Sequence, residues 1–119
     1  MDFNFEKLEV YKKSINCIKA IYNVTQTFPK DEMLCLTNQI RRASVSIALN
    51  IAEGSSRSSK DFKRFLDIAK GSIYECAAVL EIACEQKYIE QNQYRALKEQ
   101  LIELSKMTSG LKKALSTEN

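Results

Sequence analysis

Apolar residues recur at alternating steps of three and four along most of the chain, the spacing of one face of an α-helix. The first such segment covers about residues 5–27. Its apolar seam consists of Leu8, Tyr11, Ile15, Ile18, Tyr22 and Thr25. Phe28-Pro29 ends the segment, because the residue before a proline is pushed out of the helical region. Asp31 then caps the second segment or lies in its first turn, where a carboxylate favours the helix dipole.

Three further segments follow, with short connections between them. They cover about residues 32–53, 59–87 and 91–115, and Gly54 is suited to a left-handed cap after the second. Ser58 and Asp61 resemble a capping box before the third. The seam of the third segment consists of Phe62, Leu66, Ala69, Ile73, Cys76, Leu80 and Ala83. The seam of the fourth consists of Tyr94, Leu97, Leu101, Leu104, Thr108, Leu111 and Leu115.

Four helices of similar length favour an all-α fold, an antiparallel up-down-up-down four-helix bundle. The chain has 119 residues, which is enough for one domain, residues 1–119, with a core of ordinary size. Gly110 lies inside the fourth helix and costs about 1 kcal/mol relative to alanine. No strand-like alternation or low-complexity segment interrupts the helical pattern.

The second helix is apolar on two sides, unlike most surface helices. At about 100° per residue, one face is predicted to join the core. It consists of Leu36, Ile40, Ala43, Ile47 and Ile51. The other apolar face consists of Val45, Ala48, Leu49 and Ala52. Because every helix of a four-helix bundle is peripheral, the second face is predicted to contact another subunit; exposed aliphatic side chains, common on monomers, are the alternative.

A polar strip separates the two apolar faces of this helix. It consists of Gln39, Arg42, Ser46, Asn50 and Glu53. One interpretation is a solvated edge. The other is a partly buried network at a subunit boundary, in which Arg42, Asn50 and Glu53 pair with one another or with a neighbouring chain. Glu53 is too isolated to be assigned as a catalytic acid.

The positive charge is concentrated in one segment. The chain carries 18 basic and 15 acidic residues, a net charge of +3, and the segment from Arg57 to Arg64 alone has the same net charge. The cations predicted to contact nucleic acid are Arg41, Arg42, Arg57, Lys60, Lys63 and Arg64, with Lys12 and Lys13 as further candidates. No stacking-aromatic motif is present, so such contacts would read phosphate and shape. Cations that serve solubility alone are the alternative.

The residue types present disfavour an enzyme. The chain has no histidine, which removes the most common general base and zinc ligand. The four cysteines, Cys17, Cys35, Cys76 and Cys84, lack metal-ligand spacing and are expected to be free and buried as small apolar residues. No catalytic residue, metal or cofactor is predicted. Because the chain lacks a membrane-length apolar stretch and the layout of a signal peptide, a cytoplasmic location is expected.

Four stretches resemble the four-helix-bundle proteins encoded in intervening sequences of 23S ribosomal RNA genes. They are FEKLEVYKKS, FPKDE, LTNQIRRASVSIALNIAEG and SSKDFKRFLDIAKGSIYE, and they follow one another in the order of the family pattern. The chain departs from that pattern at Tyr11, usually tryptophan, at Ala48, usually proline, and at Leu49, usually alanine. Without the proline, the second helix is expected to be straighter.

The resemblance implies an antiparallel bundle that is not an enzyme and has no settled biochemical role. The family is also similar to the accessory variability determinant of diversity-generating retroelements, a ring of five bundles that binds nucleic acid and a reverse transcriptase. By that similarity we expect a homo-oligomer, with a homopentamer favoured. The predicted function is an RNA-binding or RNA-protein adaptor. The alternative is a scaffold that recruits a partner enzyme without contacting nucleic acid.

Overall fold

A computed structural model describes residues 2–117, and these residues contain four α-helices and no strand. The helices are α1 (Glu9–Thr25), α2 (Asn38–Ser55), α3 (Ser59–Glu85) and α4 (Gln91–Ser116). A 3-10 turn, Asn4–Lys7, precedes α1, and a 3-10 turn, Lys30–Glu32, and a π-helical turn, Met33–Thr37, lead into α2. The predicted all-α fold with four helices is confirmed.

Helices that follow one another in sequence pack together, and α1 also packs against α4, so that the four surround one core. Side-chain contacts show the direction of the helices within two of these pairs. They are Gln39–Glu75 and Ser46–Ser72 between α2 and α3, and Asp67–Lys112 and Lys70–Ser109 between α3 and α4. Residue numbers rise on one helix as they fall on its neighbour, so each of these two pairs is antiparallel.

The predicted seams are buried in α2, α3 and α4, with only Leu36, Tyr94 and Leu111 partly exposed. The seam predicted for α1 is wrong. Apart from Thr25, its residues are half-buried or exposed, and the buried face of α1 consists of Val10, Ser14, Cys17, Ile21, Val24 and Thr25. Ser14 Oγ donates to the Tyr11 carbonyl at 2.6 Å. Because this bond satisfies the hydroxyl within its own helix, a serine can occupy a core position that the hydrophobic pattern counts as polar.

The start of α2 also differs from the prediction. Backbone angles at Cys35 (φ −126°, ψ −106°) are not helical, so the regular helix begins at Asn38 rather than near residue 32. Asp31 lies in the preceding 3-10 turn, and the capping carboxylate is instead Glu32, whose Oε1 accepts from the Leu36 N–H at 3.4 Å. From there α2 is continuous through Ala48 to Ser55.

Gly54 does not adopt the predicted left-handed conformation. It lies inside α2, and the positive φ found among residues 2–117 belongs to Lys87, just after α3. A Cβ at Gly54 would lie 2.7 Å from both Phe62 Cδ1 and Phe65 Cβ. Glycine is therefore needed at this position for the close approach of α2 and α3, and not for backbone conformation.

Candidate nucleic-acid interface

The six predicted cations do not form one cluster. Arg41 and Arg42 lie in the first turns of α2, whereas Arg57, Lys60, Lys63 and Arg64 surround the connection from α2 to α3. A helix rises about 1.5 Å per residue, so Arg42 lies about 20 Å along the axis from the end of α2. The structure therefore separates the candidates into two sites, and we call the four cations at the connection the loop patch.

Two of the four loop-patch cations lie over an aromatic ring that was not predicted to be part of the site. The guanidinium carbons of Arg57 and Arg64 both lie 5.5 Å from the ring centroid of Phe65. Arg57 also contacts Glu53 at 3.0 Å, and Arg64 contacts Asp61 at 3.8 Å. All four partners of these ion pairs are substantially exposed, so the pairs are weak. Each guanidinium has five N–H donors, which leaves several available for a phosphate.

The start of α3 adds to the positive potential of the loop patch. Ser58 Oγ accepts from the Asp61 N–H at 3.3 Å, so the predicted serine cap is present. The other N–H groups of the first turn lack carbonyl partners within the helix and carry the positive end of its dipole. Lys60 is exposed and Lys63 is half-buried, and neither forms an ion pair within residues 2–117.

Arg41 differs from the other predicted cations because it holds two helices together. Its Nε donates to Thr25 Oγ1 at 2.9 Å, and its guanidinium lies 4.7 Å from the ring centroid of Tyr22. Both partners belong to α1. Arg42, the next residue, is exposed and makes no hydrogen bond or ion pair with the described part of the chain. Of the two arginines, only Arg42 has its whole guanidinium available.

A groove of about 650 Å³ lies along the outer side of α2 and includes Tyr22 of α1. We call it the α2 groove, and its lining includes Tyr22, Arg41, Arg42, Val45, Leu49 and Glu53. Of the four predicted interface residues, Val45 and Leu49 line it. Leu49 is 62% exposed and Val45 and Ala52 are half-buried, but Ala48 is 4% exposed and is already covered within its own chain. Ala48 therefore contributes little surface for a partner.

The polar strip of α2 contacts α3 and the loop rather than forming one network. Asn50 Nδ2 donates to Ser46 Oγ at 3.0 Å, and Ser72 Oγ donates to the same oxygen at 3.0 Å. The remaining contacts of the strip are Gln39 with Glu75 at 3.2 Å and Glu53 with Arg57 at 3.0 Å. Arg42, Asn50 and Glu53 do not pair with one another. Ser46 and Asn50 thus form a hydrogen bond with each other where α2 packs on α3.

A second basic surface, not predicted from the sequence, lies where α3 packs against α4. Two grooves of about 230 and 380 Å³ follow one another there, and we call them together the α3–α4 groove. The side chains lining the first include Asp67, Lys70, Lys112 and Lys113, and those lining the second include Tyr74, Lys98, Ile102 and Lys106. The sequence does contain a signal for the α3 side of this surface, because the helical spacing of Lys63, Lys70 and Tyr74 places them on one face of α3.

Residues 2–117 contain no group of three or more side chains placed to hold a metal ion. Within the same range, no helix has the length and apolar character needed to cross a membrane.

The four cysteines are free, but they are not all buried as predicted. Cys17 and Cys76 are fully buried, Cys84 is half-buried and Cys35 is exposed in the turn before α2. Burial raises the pKa of the Cys17 thiol to about 11 and that of Cys76 to about 12. Because only the thiolate is a strong nucleophile, the two buried thiols are unreactive at neutral pH.

We expect Cys76 to make the protein less stable in alkali. The thiol has an ordinary pKa of 9.0, raised to about 12 in the fold, so between these values the unfolded chain loses a proton that the folded chain keeps. Stability then falls as pH rises above 9, by about 1.4 kcal/mol at pH 10. Urea unfolding at pH 8 and pH 10 gives the fall in the free energy of unfolding between these values. This fall should be about 1.4 kcal/mol smaller in Cys76→Ala than in wild type. The control, Cys35→Ala, should behave like wild type, and an equal fall in all three proteins would refute the role of Cys76.

The sequence profile of the 23S rRNA-intervening sequence proteins matches residues 6–110. The chain belongs to this family. The stretches that resemble the family include Gly54 beside Phe62 and the hydrogen bond from Ser72 to Ser46, two places where α2 and α3 meet.

One solved structure supports the fold of this family member. It is a crystal structure of a protein of unknown function from the S23 ribosomal protein family of Bacteroides thetaiotaomicron VPI-5482. The TM-score is 0.80 at 27% identity, over 87% of this chain and 95% of that chain. Among curated proteins, none matches the sequence significantly.

Proposed function

We propose that this 23S rRNA-intervening sequence protein is a homo-oligomeric, non-enzymatic adaptor that binds RNA in the cytoplasm. The observation that carries the proposal is the loop patch, where four cations lie around the start of α3. Two of them form weak, exposed ion pairs, and the other two form none within residues 2–117. Exchanging such a pair for a phosphate costs little, because water already screens the carboxylate. The N-terminus of α3 favours the same ligand.

Oligomerisation would strengthen binding through a patch of this size. One subunit offers three or four phosphate contacts, too few for tight binding at physiological salt. Leu49, 62% exposed beside Val45 in the α2 groove, is the apolar surface that a second copy would cover. Heterologous contacts repeated around a closing rotation give a ring. A ring, with the pentamer of the related retroelement determinant as the favoured form, would present several loop patches to one RNA.

The loop patch should determine the salt dependence of RNA binding. Replacing Arg57, Lys60 and Arg64 by Gln should weaken binding to all RNA sequences and reduce the slope of log affinity against log salt by about 2, at about 0.7 for each phosphate that is no longer neutralised. The measurement is fluorescence anisotropy of a labelled single strand between about 50 and 200 mM salt. The matched control replaces three exposed lysines elsewhere, Lys19, Lys30 and Lys87, by Gln.

If the slope of log affinity against log salt were the same in the two triple variants, the weaker RNA binding would follow from net charge alone and not from the loop patch. A wild-type oligomer that retains no RNA even at low salt would reject RNA binding. The protein-scaffold alternative would then be favoured. One observation supports it independently: Leu34 is 92% exposed and Met33 50% exposed in the turn before α2, and adjacent exposed apolar side chains are typical of protein contacts. Association with a partner protein that survives nuclease treatment would support this alternative.

The assembly should depend on the exposed apolar side of α2. Val45→Asp combined with Leu49→Asp should give smaller particles in light scattering, because a buried interface does not tolerate unpaired carboxylates. Helical content by circular dichroism should be unchanged, since both side chains lie outside the core of the subunit. The control is Ile102→Asp on α4, where the side chain is 45% exposed. A double variant that keeps the wild-type mass would exclude this face as the interface.

A further inference from the structure

We propose that the α3–α4 groove binds single-stranded RNA, with Tyr74 stacking on a base and the surrounding lysines contacting phosphates. This inference rests on the proposed RNA-binding function. It adds the class of RNA that is bound and a second contact surface, distinct from the loop patch.

The charge of the groove is one-sided. Its lining contains five lysines, Lys70, Lys98, Lys106, Lys112 and Lys113, and a single carboxylate, Asp67. Lys112 Nζ pairs with Asp67 Oδ1 at 2.8 Å, and Lys70 Nζ donates to Ser109 Oγ at 2.6 Å. Lys98, Lys106 and Lys113 form no ion pair with other residues of the range 2–117. Lys98 Nζ also lies 5.7 Å from the ring centroid of Tyr94, a weak contact at an exposed site that leaves its N–H donors available. Three ammonium groups are thus left for an anionic ligand.

An exposed aromatic ring lies within this basic surface. Tyr74 is 64% exposed and, within residues 2–117, has no hydrogen bond or ring contact. Beside it in the groove are Ile102, 45% exposed, and Ala77. Lys98 and Lys106 lie in the same groove. An exposed ring beside apolar side chains and lysines is the composition of single-strand binding surfaces, where aromatic rings stack on bases and cations contact the phosphate backbone.

The groove has the length of a strand-binding surface and continues from the loop patch. Lys98 and Lys113 are separated by about 22 Å along α4, from a rise of about 1.5 Å per residue. The contact between Asp67 and Lys112 places the end of α4 beside the start of α3. Lys63 of the loop patch is on the same face of α3 as Lys70 and Tyr74. A strand bound at the loop patch can therefore follow the lysines toward Tyr74.

A single strand fits this surface better than a duplex. In a duplex the bases are stacked on one another and their faces are inaccessible, so a duplex could use the lysines but not Tyr74. An acidic peptide could use the lysines and the apolar floor, but it supplies a ring face for Tyr74 only where it carries an aromatic side chain, whereas every nucleotide carries a planar base. The exposed ring therefore favours unstacked bases, and any base offers the same face, so binding should show little sequence preference.

The test compares Tyr74→Leu with Tyr74→Phe in the full-length protein. Anisotropy is measured on a labelled single strand of about 15 nucleotides, the size range of single-strand sites, and on a duplex of the same length. Tyr74→Leu should weaken single-strand binding about tenfold without altering its salt slope, and should leave duplex binding unchanged. Tyr74→Phe keeps the ring and should bind both RNAs as wild type does. Circular dichroism confirms that each variant is folded.

A second variant tests the lysines. Replacing Lys98, Lys106 and Lys113 by Gln should reduce the single-strand salt slope by about 2. If this variant and Tyr74→Leu bind like wild type while the loop-patch variant binds more weakly, the groove inference is wrong and the proposed function stands. If the groove variants lose single-strand binding and the loop-patch variant does not, the groove inference holds and the loop patch is rejected. Wild-type protein that binds neither RNA overturns both, as does groove-dependent binding of an acidic peptide in its place.

Discussion

Replacing Leu80 by alanine should lower the free energy of unfolding by about 2–5 kcal/mol. The Leu80 side chain has no exposed surface and lies in the part of α3 that contributes to the common core of all four helices. The substitution removes the isopropyl group from a closely packed site and leaves a cavity that the surrounding helices only partly fill. Urea unfolding monitored by circular dichroism gives the difference, at a fixed protein concentration because assembly would add to stability.

The control for Leu80 is on the same helix. Ile82→Ala removes an aliphatic side chain of similar size two residues further along, but Ile82 is 46% exposed. Its removal should cost no more than about 1 kcal/mol, because nearly half of its surface is already in contact with water. If the two substitutions had similar effects, either the burial of α3 would be wrongly assigned or the exposed side of α3 would be buried in an assembly. Particle mass by light scattering separates these two explanations.

The seam of α3 was predictable because one stripe of apolar residues distinguishes its core face from all others. The same pattern failed in α1, which carries two apolar stripes next to each other. Its buried stripe includes Ser14, which the hydrophobic pattern counts against it. The hydroxyl bonds to its own helix and is therefore compatible with the core. Local periodicity locates a helix, but the choice between two apolar faces depends on the neighbouring helices.

The candidate site shows the same division between local and tertiary information. The loop patch is a run of cations within eight residues, so the sequence alone reveals it. The α3–α4 groove combines Tyr74 and Lys70 with lysines that lie 24 to 43 residues later in the chain. It becomes visible only when the pairing of the two helices is known. The contacts of Arg41 could not be predicted from the sequence either, because its partners, Tyr22 and Thr25, are brought to it by the packing of α1 on α2.

We expect glycine-to-alanine substitutions in the helices to have opposite effects on stability at different positions. Gly54→Ala should destabilise the fold by about 1–3 kcal/mol, because the new Cβ would lie 2.7 Å from both Phe62 Cδ1 and Phe65 Cβ. Phe65 Cβ cannot move away without the α3 backbone, so relief requires the helices to separate. Any gain in helix propensity from alanine is smaller than this repulsion.

Gly71 and Gly110 are the matched controls. Both lie inside helices, and a Cβ at either position meets no atom within 4 Å. Alanine there should stabilise the protein by about 0.5–1 kcal/mol, because it restricts the unfolded chain and favours helix without any clash. The effect of the same chemical change on the free energy of unfolding should thus differ by about 1.5–4 kcal/mol between Gly54 and Gly71 in urea unfolding. If all three variants shifted stability in the same direction, the close approach of α2 and α3 at Gly54 would not exist in the folded protein. If Gly71→Ala lost stability while Gly110→Ala did not, and the particle mass of Gly71→Ala fell, the backbone at Gly71 would instead lie against another subunit.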